Sequence, residues 1–303
     1  MAVDVRPRER TTPAAGRRPA DSPVWRSIRR IVGYGFLIGF ALVFIFPFVL
    51  SAVTAFKTLP DIAQNPVTPW ADPRYGWTLE GIQGLQRGSI RLPRWLLNSV
   101  VVTVAVVIGR LVLCSLAGYA LARMRFLGRS LVFGLVIAVQ AIPPIVLAIP
   151  RFIVMKELGI LNSYAGLILP LVFDAFGIFL MKQFFEQLPA ELEEAAAIDG
   201  ASAFQIFYRV MLPVAAPGLI ALTILTTQGA WNEFLHPLIA APADPDLRTL
   251  PVGLALLRGA FGEANPWNTI LAGALITTIP MAIIFFTFQR YFVQGVAASA
   301  VKD

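Results

Sequence analysis

The chain has 303 residues, 57% hydrophobic and only 14% charged, with a mean hydropathy of +0.70. Soluble domains carry about a quarter charged residues, so this composition argues against a water-soluble enzyme, against extended disorder and, with Cys114 the single cysteine, against a disulfide framework. The net charge of +7 does not indicate a nucleic-acid surface, because the basic residues are mostly arginines gathered at the N-terminus and beside apolar runs, as membrane topology requires.

Residues 1–30 are rich in Arg, Pro and Ala without a periodic apolar face, and are expected to form a disordered basic cytoplasmic tail. The apolar run 31–56 is long enough for a first transmembrane helix. A cleaved signal peptide is the competing reading, but it calls for an apolar core of about 7–15 residues followed by a small-residue cleavage site. Five further apolar runs, 95–122, 130–152, 162–184, 213–238 and 269–290, each approach the roughly 20 residues a membrane-crossing helix needs. Six spans place both termini on one side. The termini and the loops on their side carry 15 Lys and Arg, the opposite loops 9, and Arg110 falls within a span. That excess predicts both termini in the cytoplasm of a multi-pass inner-membrane protein.

Two connections, 57–94 and 239–268, then lie outside. The first contains Pro60, Pro66, Pro69, Pro73 and Pro93 and reads as a packed cap or a docking surface. The core itself, 95–293, is interrupted on the cytoplasmic side by 188–213, LPAELEEAAAIDGASAFQIFYRVMLP, an amphipathic stretch among uniformly apolar neighbours. Pro189 suits a first helical turn, and Glu191, Glu193 and Glu194 suit the positive end of the helix dipole. Gly200 sits where a helix ends in a left-handed residue, and Ser202 with Gln205 makes a capping box. A helix, a glycine turn and a second helix are therefore expected, with Pro213 re-entering the membrane. The alanines Ala195, Ala196 and Ala197 make the first helix narrow. An interfacial helix lying on lipid would favour basic residues on its polar face, and this one is acidic. Acidity and narrowness together suit a protein groove.

The same segment, E-A-A, three residues, Gly200, nine residues, then Val210-Met211-Leu212-Pro213, resembles the EAA loop of the integral membrane permease subunits of ATP-binding-cassette importers. Val210 replaces the usual Ile. NSVVVTVAVV at 98–107, GYALARMRFLGR at 118–129, WNEFLHPL at 231–238 and QRYFVQGVAASAVKD at 289–303 are similar to the carbohydrate, maltose-permease branch. The last of these departs from the usual ending, with Ser299 to Asp303 reading S-A-V-K-D, and residues 294–303 would form a C-terminal cytoplasmic tail. The resemblance implies an all-α membrane protein with the six-helix fold of a type I importer transmembrane domain. It also implies a second homologous permease subunit, two cytoplasmic ATPase subunits and an extracytoplasmic solute-binding protein. The family's ATPase-docking role falls on Glu194, Ala195, Ala196, Asp199 and Gly200, with Leu212 and Pro213 closing the motif. A bulky residue at Gly200 or Ala196 is expected to leave the fold intact and uncouple hydrolysis from transport.

The chain itself lacks a nucleotide site of the P-loop kind. That loop requires G-x-x-x-x-G-K-[ST], and no Gly-Lys pair occurs. ATP and Mg²⁺ are thus expected on the partner ATPase, with no cofactor or metal held here. His236 is the only histidine, which leaves no metal constellation and no nucleophile–base pair for a membrane enzyme.

Ionisable groups at membrane depth are functional candidates. Arg110, Asp174 and Glu233 either line a pathway or form a structural ion pair, Arg110 with Asp174 or with Glu233. Gln140, Trp231, Asn232 and Glu233 are the candidate substrate-pathway residues. Gln140 precedes AIPPIVLAIP, where Pro143, Pro144 and Pro150 bend or break the third span, and Trp231 offers an aromatic face. His236 reads as a satisfied interfacial residue. The leading reading is a sugar permease. Its rivals are a permease for glycerol phosphate, a phosphodiester or a polyamine, and a membrane scaffold that only recruits the ATPase.

Overall fold

A computed structural model describes the backbone of residues 23–86, 90–260 and 266–300, and the side chains of 27–86, 90–257 and 266–288. Among the described residues every regular element is helical, apart from one isolated antiparallel bridge between Lys57 and Trp77. The chain divides into two compact units, residues 1–50 and 51–303.

In the first unit, α1 (Pro23–Ala55) begins eight residues before the expected start of the first span. The expected tail therefore ends at residue 22, and residues 1–22 lie outside the described residues. Trp25, Ile28 and Val32 extend the apolar spacing back through the arginines, which are themselves good helix formers. Phe36, Phe40 and Phe44 form an i, i+4 ladder with ring centroids 6.2 and 4.5 Å apart.

The second unit opens with a folded cap. Two short helices, α2 (Leu59–Gln64) and α3 (Glu80–Gly84), organise residues 57–94. The ammonium of Lys57, fully buried, donates to the carbonyls of Asn65 (3.1 Å) and Thr68 (2.8 Å) and to Thr68 Oγ1 (2.6 Å). Buried Asp61 accepts from Asn65 Nδ2 and from the Asp72 N–H, both at 3.1 Å. Beside it, the Arg74 guanidinium donates to both Asp72 oxygens and holds that carboxyl down at about 2. The prolines of this segment thus serve a packed cap whose buried Lys57 and Asp61 are hydrogen-bonded within it.

The central rod is α4 (Leu92–Arg123), 32 residues and so about 48 Å long. It is followed by α5 (Arg129–Gln140), a 3₁₀ turn at Pro144–Leu147, and α6 (Ala148–Glu157). Then come α7 (Tyr164–Val172), α8 (Ala175–Glu186) and α9 (Glu191–Ile198). α10 (Ala203–Gln205), a π-helical stretch Ile206–Met211, α11 (Leu212–Val214) and α12 (Ala216–Asn232) continue the chain. It closes with α13 (Leu235–Ala240), α14 (Leu250–Ala260) and α15 (Trp267–Ala300). α4 packs most extensively on α8, then on α12, α7 and α14. It lies against α8 so closely that a Cβ on Gly118 would come within 2.7 Å of Met181 Cβ and 2.8 Å of the Lys182 backbone nitrogen.

Three helical segments, in α1, α4 and α15, are long and apolar enough to cross a membrane unbroken. Three bent helix pairs account for the rest, the third reaching back from the expected span 213–238 into the 188–213 segment. Arg129–Gln140 meets Pro144–Glu157 at 100°, Tyr164–Val172 meets Ala175–Glu186 at 40°, and Ala203–Val214 meets Ala216–Asn232 at 75°. Counting each pair as one span gives the six expected. The first bend falls at the prolines of AIPP, as expected; the second has no proline at the break itself, and sequence periodicity gave no sign of it.

At that second break the expected ion pair forms with Asp174, not with Glu233. Asp174 is the N-cap of α8, its Oδ2 accepting from the Gly177 N–H at 2.8 Å. Arg110 Nη1 lies 3.3 Å from the same oxygen, and its Nε donates to the Leu171 carbonyl at 2.7 Å. One guanidinium therefore serves both sides of the interruption.

Two stability outcomes follow from this packing. Gly118→Leu is expected to lower stability by about 1–3 kcal/mol through overpacking, read as a lower detergent melting temperature. Arg110→Ala is expected to lose about 3 kcal/mol by stranding the Asp174 charge. Adding Asp174→Asn should recover part of that loss, because a neutral amide oxygen still caps α8. A double-mutant cycle that showed strict additivity would contradict the pairing.

Candidate functional site

The 188–213 segment folds locally as its residues dictate. α9 starts at Glu191 with Ala190 as N-cap, so Pro189 precedes the helix and does not occupy its first turn. Gly200 adopts φ +82° with open space around the position of a Cβ. That left-handed conformation ends the helix and is disfavoured for any other residue. The capping box is complete. Gln205 N–H donates to Ser202 Oγ at 3.4 Å, and the Ser202 N–H to Gln205 Oε1 at 2.8 Å. Pro213 removes the N–H that would meet the Arg209 carbonyl, and the helix widens into its π-turn just upstream.

α9 has two faces. Leu192 and Ala196, one turn apart, are half-buried against a core cluster that includes Met181, Phe185, Phe207 and Met211. Leu212 packs on the same cluster. The opposite face is exposed and carries Glu194, Ala195, Ala197, Ile198 and Asp199. Of the docking residues expected, Glu194, Ala195, Asp199, Gly200 and Pro213 therefore lie outward, while Ala196 and Leu212 pack inward. The expectation that a bulky residue at Ala196 would spare the fold is thereby corrected: it would displace the cluster beneath the helix. Two outward residues escaped the sequence reading. Ile198 is 86% exposed and Phe204, one turn into the second helix, 65%. Large apolar side chains beside a glycine turn on a polar segment are the signal that could have found them.

The inner side of α9 is fastened by polar groups of α4, one of which also binds the end of α8. Tyr119 Oη donates to Glu193 Oε1 at 2.9 Å, and Arg123 Nε lies 3.6 Å from Glu193 Oε2. Arg123 also donates to the Phe185 carbonyl through Nε (3.0 Å) and Nη2 (2.7 Å), and to the Leu188 carbonyl. It thus satisfies carbonyls left open where α8 ends. Lys182 pairs with Glu186 at 2.7 Å and stands 4.1 Å from the Phe133 ring centroid, joining α8 to α5. Tyr119 and Arg123 occupy one face at i, i+4 inside GYALAR; sequence reasoning used that arginine only for topology.

The pathway candidates do not converge. Gln140, at the end of α5, is exposed and donates weakly to its own Val136 carbonyl at 3.4 Å. Asn232 is exposed, with Nδ2 on the Gln228 carbonyl at 2.9 Å. Glu233 Oε1 accepts from the His236 N–H at 3.0 Å, which caps α13. Trp231 is buried among Trp95, Leu250, Leu257 and Ile270, its indole N–H donating to the Thr277 carbonyl at 3.2 Å, so its ring faces are taken up by the core. His236 is buried with Nε2 3.0 Å from the Gly166 carbonyl. Among the described residues no group of three or more His, Cys, Asp or Glu is placed to hold a metal.

What the α9 surface offers chemically is an exposed apolar ridge beside carboxylates on a firmly held helix, a means of contact with another protein. The architecture is shared with a solved structure, a bacterial ABC transporter involved in the import of the acidic polysaccharide alginate. The match has a TM-score of 0.76 at 24% identity and covers 91% of this chain and 100% of that one; at this identity it speaks for the fold alone. Curated relatives are closer in sequence. An arabinooligosaccharides transport system permease protein of Halalkalibacterium halodurans is 35% identical over 89% of this chain and 95% of its own length. A trehalose/maltose transport system permease protein of Thermococcus litoralis is 34% identical over 86% and 93%. An sn-glycerol-3-phosphate transport system permease protein of Yersinia pestis is 33% identical over 87% and 94%. Residues 114–298, which include the whole of α9 and the α4 residues Tyr119 and Arg123 that staple it, match the model of the binding-protein-dependent transport system inner membrane component, and the chain belongs to that family of importer permeases.

Proposed function

We propose that this permease carries a carbohydrate across the inner membrane, and that α9 is where a separate cytoplasmic ATPase drives it. The observation that carries the docking reading is the two-faced α9. Its inner face is stapled to α4 and packed on a cluster that includes Met181 and Phe185 of α8, while Glu194, Ala195, Ile198 and Asp199 are exposed on the outward face. Force applied to such a helix passes directly to the ends of two spans. Both termini lie in the cytoplasm by the excess of Lys and Arg on that side, which puts α9 there too. ATP and Mg²⁺ reside on two copies of the ATPase, and this chain catalyses no reaction. A second, homologous permease completes the translocation pathway, and an extracytoplasmic binding protein delivers the solute. Closure of the ATPase pair draws the two docking helices together and opens the pathway outward.

The sugar reading is supported by the arabinooligosaccharide and trehalose/maltose permeases among the relatives and by the state of Arg110. An anionic solute such as a glycerol phosphate would call for a cation free to meet it. Arg110, midway along α4, is engaged by Asp174 and the Leu171 carbonyl. Gln140 and Asn232 remain exposed as amides able to meet hydroxyl groups.

For the docking reading, Ile198→Asp is expected to weaken co-purification of the ATPase about tenfold or more while leaving the melting temperature of the permease unchanged. Ala195→Trp should behave in the same way. Ala196→Trp, which faces inward, should instead lower the melting temperature. Equal ATPase recovery from Ile198→Asp and wild type would sink the docking role. For the substrate, proteoliposomes holding the full transporter and its binding protein should accumulate a labelled oligosaccharide saturably. Saturable uptake of sn-glycerol-3-phosphate alone would overturn the sugar reading.

A further inference from the structure

At the end of α4 opposite to α9, a second set of staples occurs that neither the family motif nor the docking helix accounts for. Asn98, the seventh residue of the rod, is fully buried. Its Nδ2 donates to the carbonyls of Asp246 (2.6 Å) and Arg248 (2.8 Å), and its Oδ1 accepts from Tyr164 Oη of α7 (2.6 Å). Around it, Trp95 Nε1 donates to the Pro245 carbonyl at 3.2 Å, Ser99 Oγ accepts from the Leu250 N–H at 2.8 Å, and Arg91 pairs with the Asp246 carboxylate. Within residues 245–250 of the 239–268 connection, the Pro245, Asp246 and Arg248 carbonyls and the Leu250 N–H are held by α4 side chains, while Asp244 receives the N–H groups of Asp246 and Leu247.

These bonds use every hydrogen-bonding group of the Asn98 amide except one lone pair. No other side chain of that size could donate twice to one segment and accept from another helix in the same space. The opposite end of the same rod holds α9 through Tyr119 and Arg123, 21 and 25 residues further on, a span of about 38 Å from Asn98 to Arg123. Between them, Arg110 ties the rod to the α7–α8 break and Gly118 admits α8 to close contact. A helix fastened at both ends and in the middle has few ways to move other than as one piece with what it holds.

We infer that α4 is a strut joining the 245–250 loop to the docking helix, and that Asn98 is the positioning residue that makes the outer loop follow α9. This inference rests on the proposed placement of the two loops on opposite sides of the membrane. When the binding protein meets the outer face, displacement of 245–250 reaches α9 without deformation in between, and the ATPase is stimulated from outside through this rod.

The experiment uses the complete transporter in lipid nanodiscs. Spin labels go on cysteines at Glu191 and Ala243, both exposed and neither in the docking ridge nor in the Asn98 bonds, while the native Cys114 is buried. The wild-type distance between the labels should stay constant between the nucleotide-free and the ATP–vanadate-trapped states. Asn98→Ala should broaden that distribution. It should also reduce stimulation of ATPase activity by the binding protein about tenfold, the size of a typical coupling between sites, with basal ATPase unchanged. Tyr164→Phe, which removes a single bond, should give an intermediate loss. If Asn98→Ala fails to assemble, the wild-type distances and the Tyr164→Phe stimulation decide. A wild-type change of more than about 5 Å, one helical turn, overturns the strut, and so does unaltered stimulation in the two variants. Failure of α9 docking is read separately, as recovery of the ATPase by Ile198→Asp, and leaves the intrachain distance unaffected.

Discussion

A break in a membrane helix strands backbone N–H and C=O groups where water cannot reach them, and the ionisable residues at the interruptions of the spans answer that one constraint. At the α7–α8 break, Asp174 receives the Gly177 N–H and Arg110 donates to the Leu171 carbonyl, so one ion pair closes both raw ends. Past the end of α12, Glu233 receives the His236 N–H that opens α13. Where α8 stops, Arg123 takes the carbonyls of Phe185 and Leu188. Ionisable residues at membrane depth in a transporter invite assignment to a substrate path. Here Arg110, Asp174 and Glu233 are the fittings that permit a bent span to exist at all.

Much of this was legible because it is local. Gly200 ends α9 in a left-handed turn, and Ser202 with Gln205 caps the next helix, since those outcomes depend on residues within one turn of each other. The apolar runs mark the spans for a similar reason: length and composition are properties of a segment alone. The Arg110–Asp174 pair was legible only as one of two alternatives, because choosing between Asp174 and Glu233 needs the packing of α4 on α8.

What could not be read depends on orientation around a helix axis or on partners distant in sequence. The run Ala195–Ala196–Ala197 looks uniform, yet Ala196 turns toward Phe207 and Met211 while its neighbours turn out, and only the tertiary placement of α9 fixes which is which. Trp231 reads equally well as a platform for a sugar or as core, and the Thr277 carbonyl that takes its indole N–H lies 46 residues away. Asn98 gave no signal at all within NSVVVTVAVV, since its partners sit 148 and 150 residues further along. The early start of α1 was missed for the opposite reason: arginine-rich sequence was taken as tail although its apolar spacing continues the helix.

The distribution of rigidity in the chain bears on how an importer permease can be both firmly built and mobile. Polar side chains with several bonds each, Asn98, Arg110 and Arg123, all lie on α4 or reach it from α7, α8 and α9. Each bond adds only about 1 kcal/mol, yet losing one partner strands the others, so the group is stiff out of proportion to its energy. α5, by contrast, ends at a 100° bend built on Pro143 and Pro144. Most of its surface is exposed; it meets α8 through the Phe133–Phe179 stack with its Lys182 neighbour and through Arg129, 3.7 Å from Glu186, which also donates to the Ala122 carbonyl of α4 at 3.0 Å. Its apolar faces suit lipid or another protein, and the directional bonds that tie it to the rod come from its first residue, Arg129, while its far end runs into the proline bend. Alternation between two states then asks for little distortion of α4 with α7, α8 and α9, because the segments that must rearrange are held mainly by dispersion, which tolerates sliding better than hydrogen bonds tolerate bending.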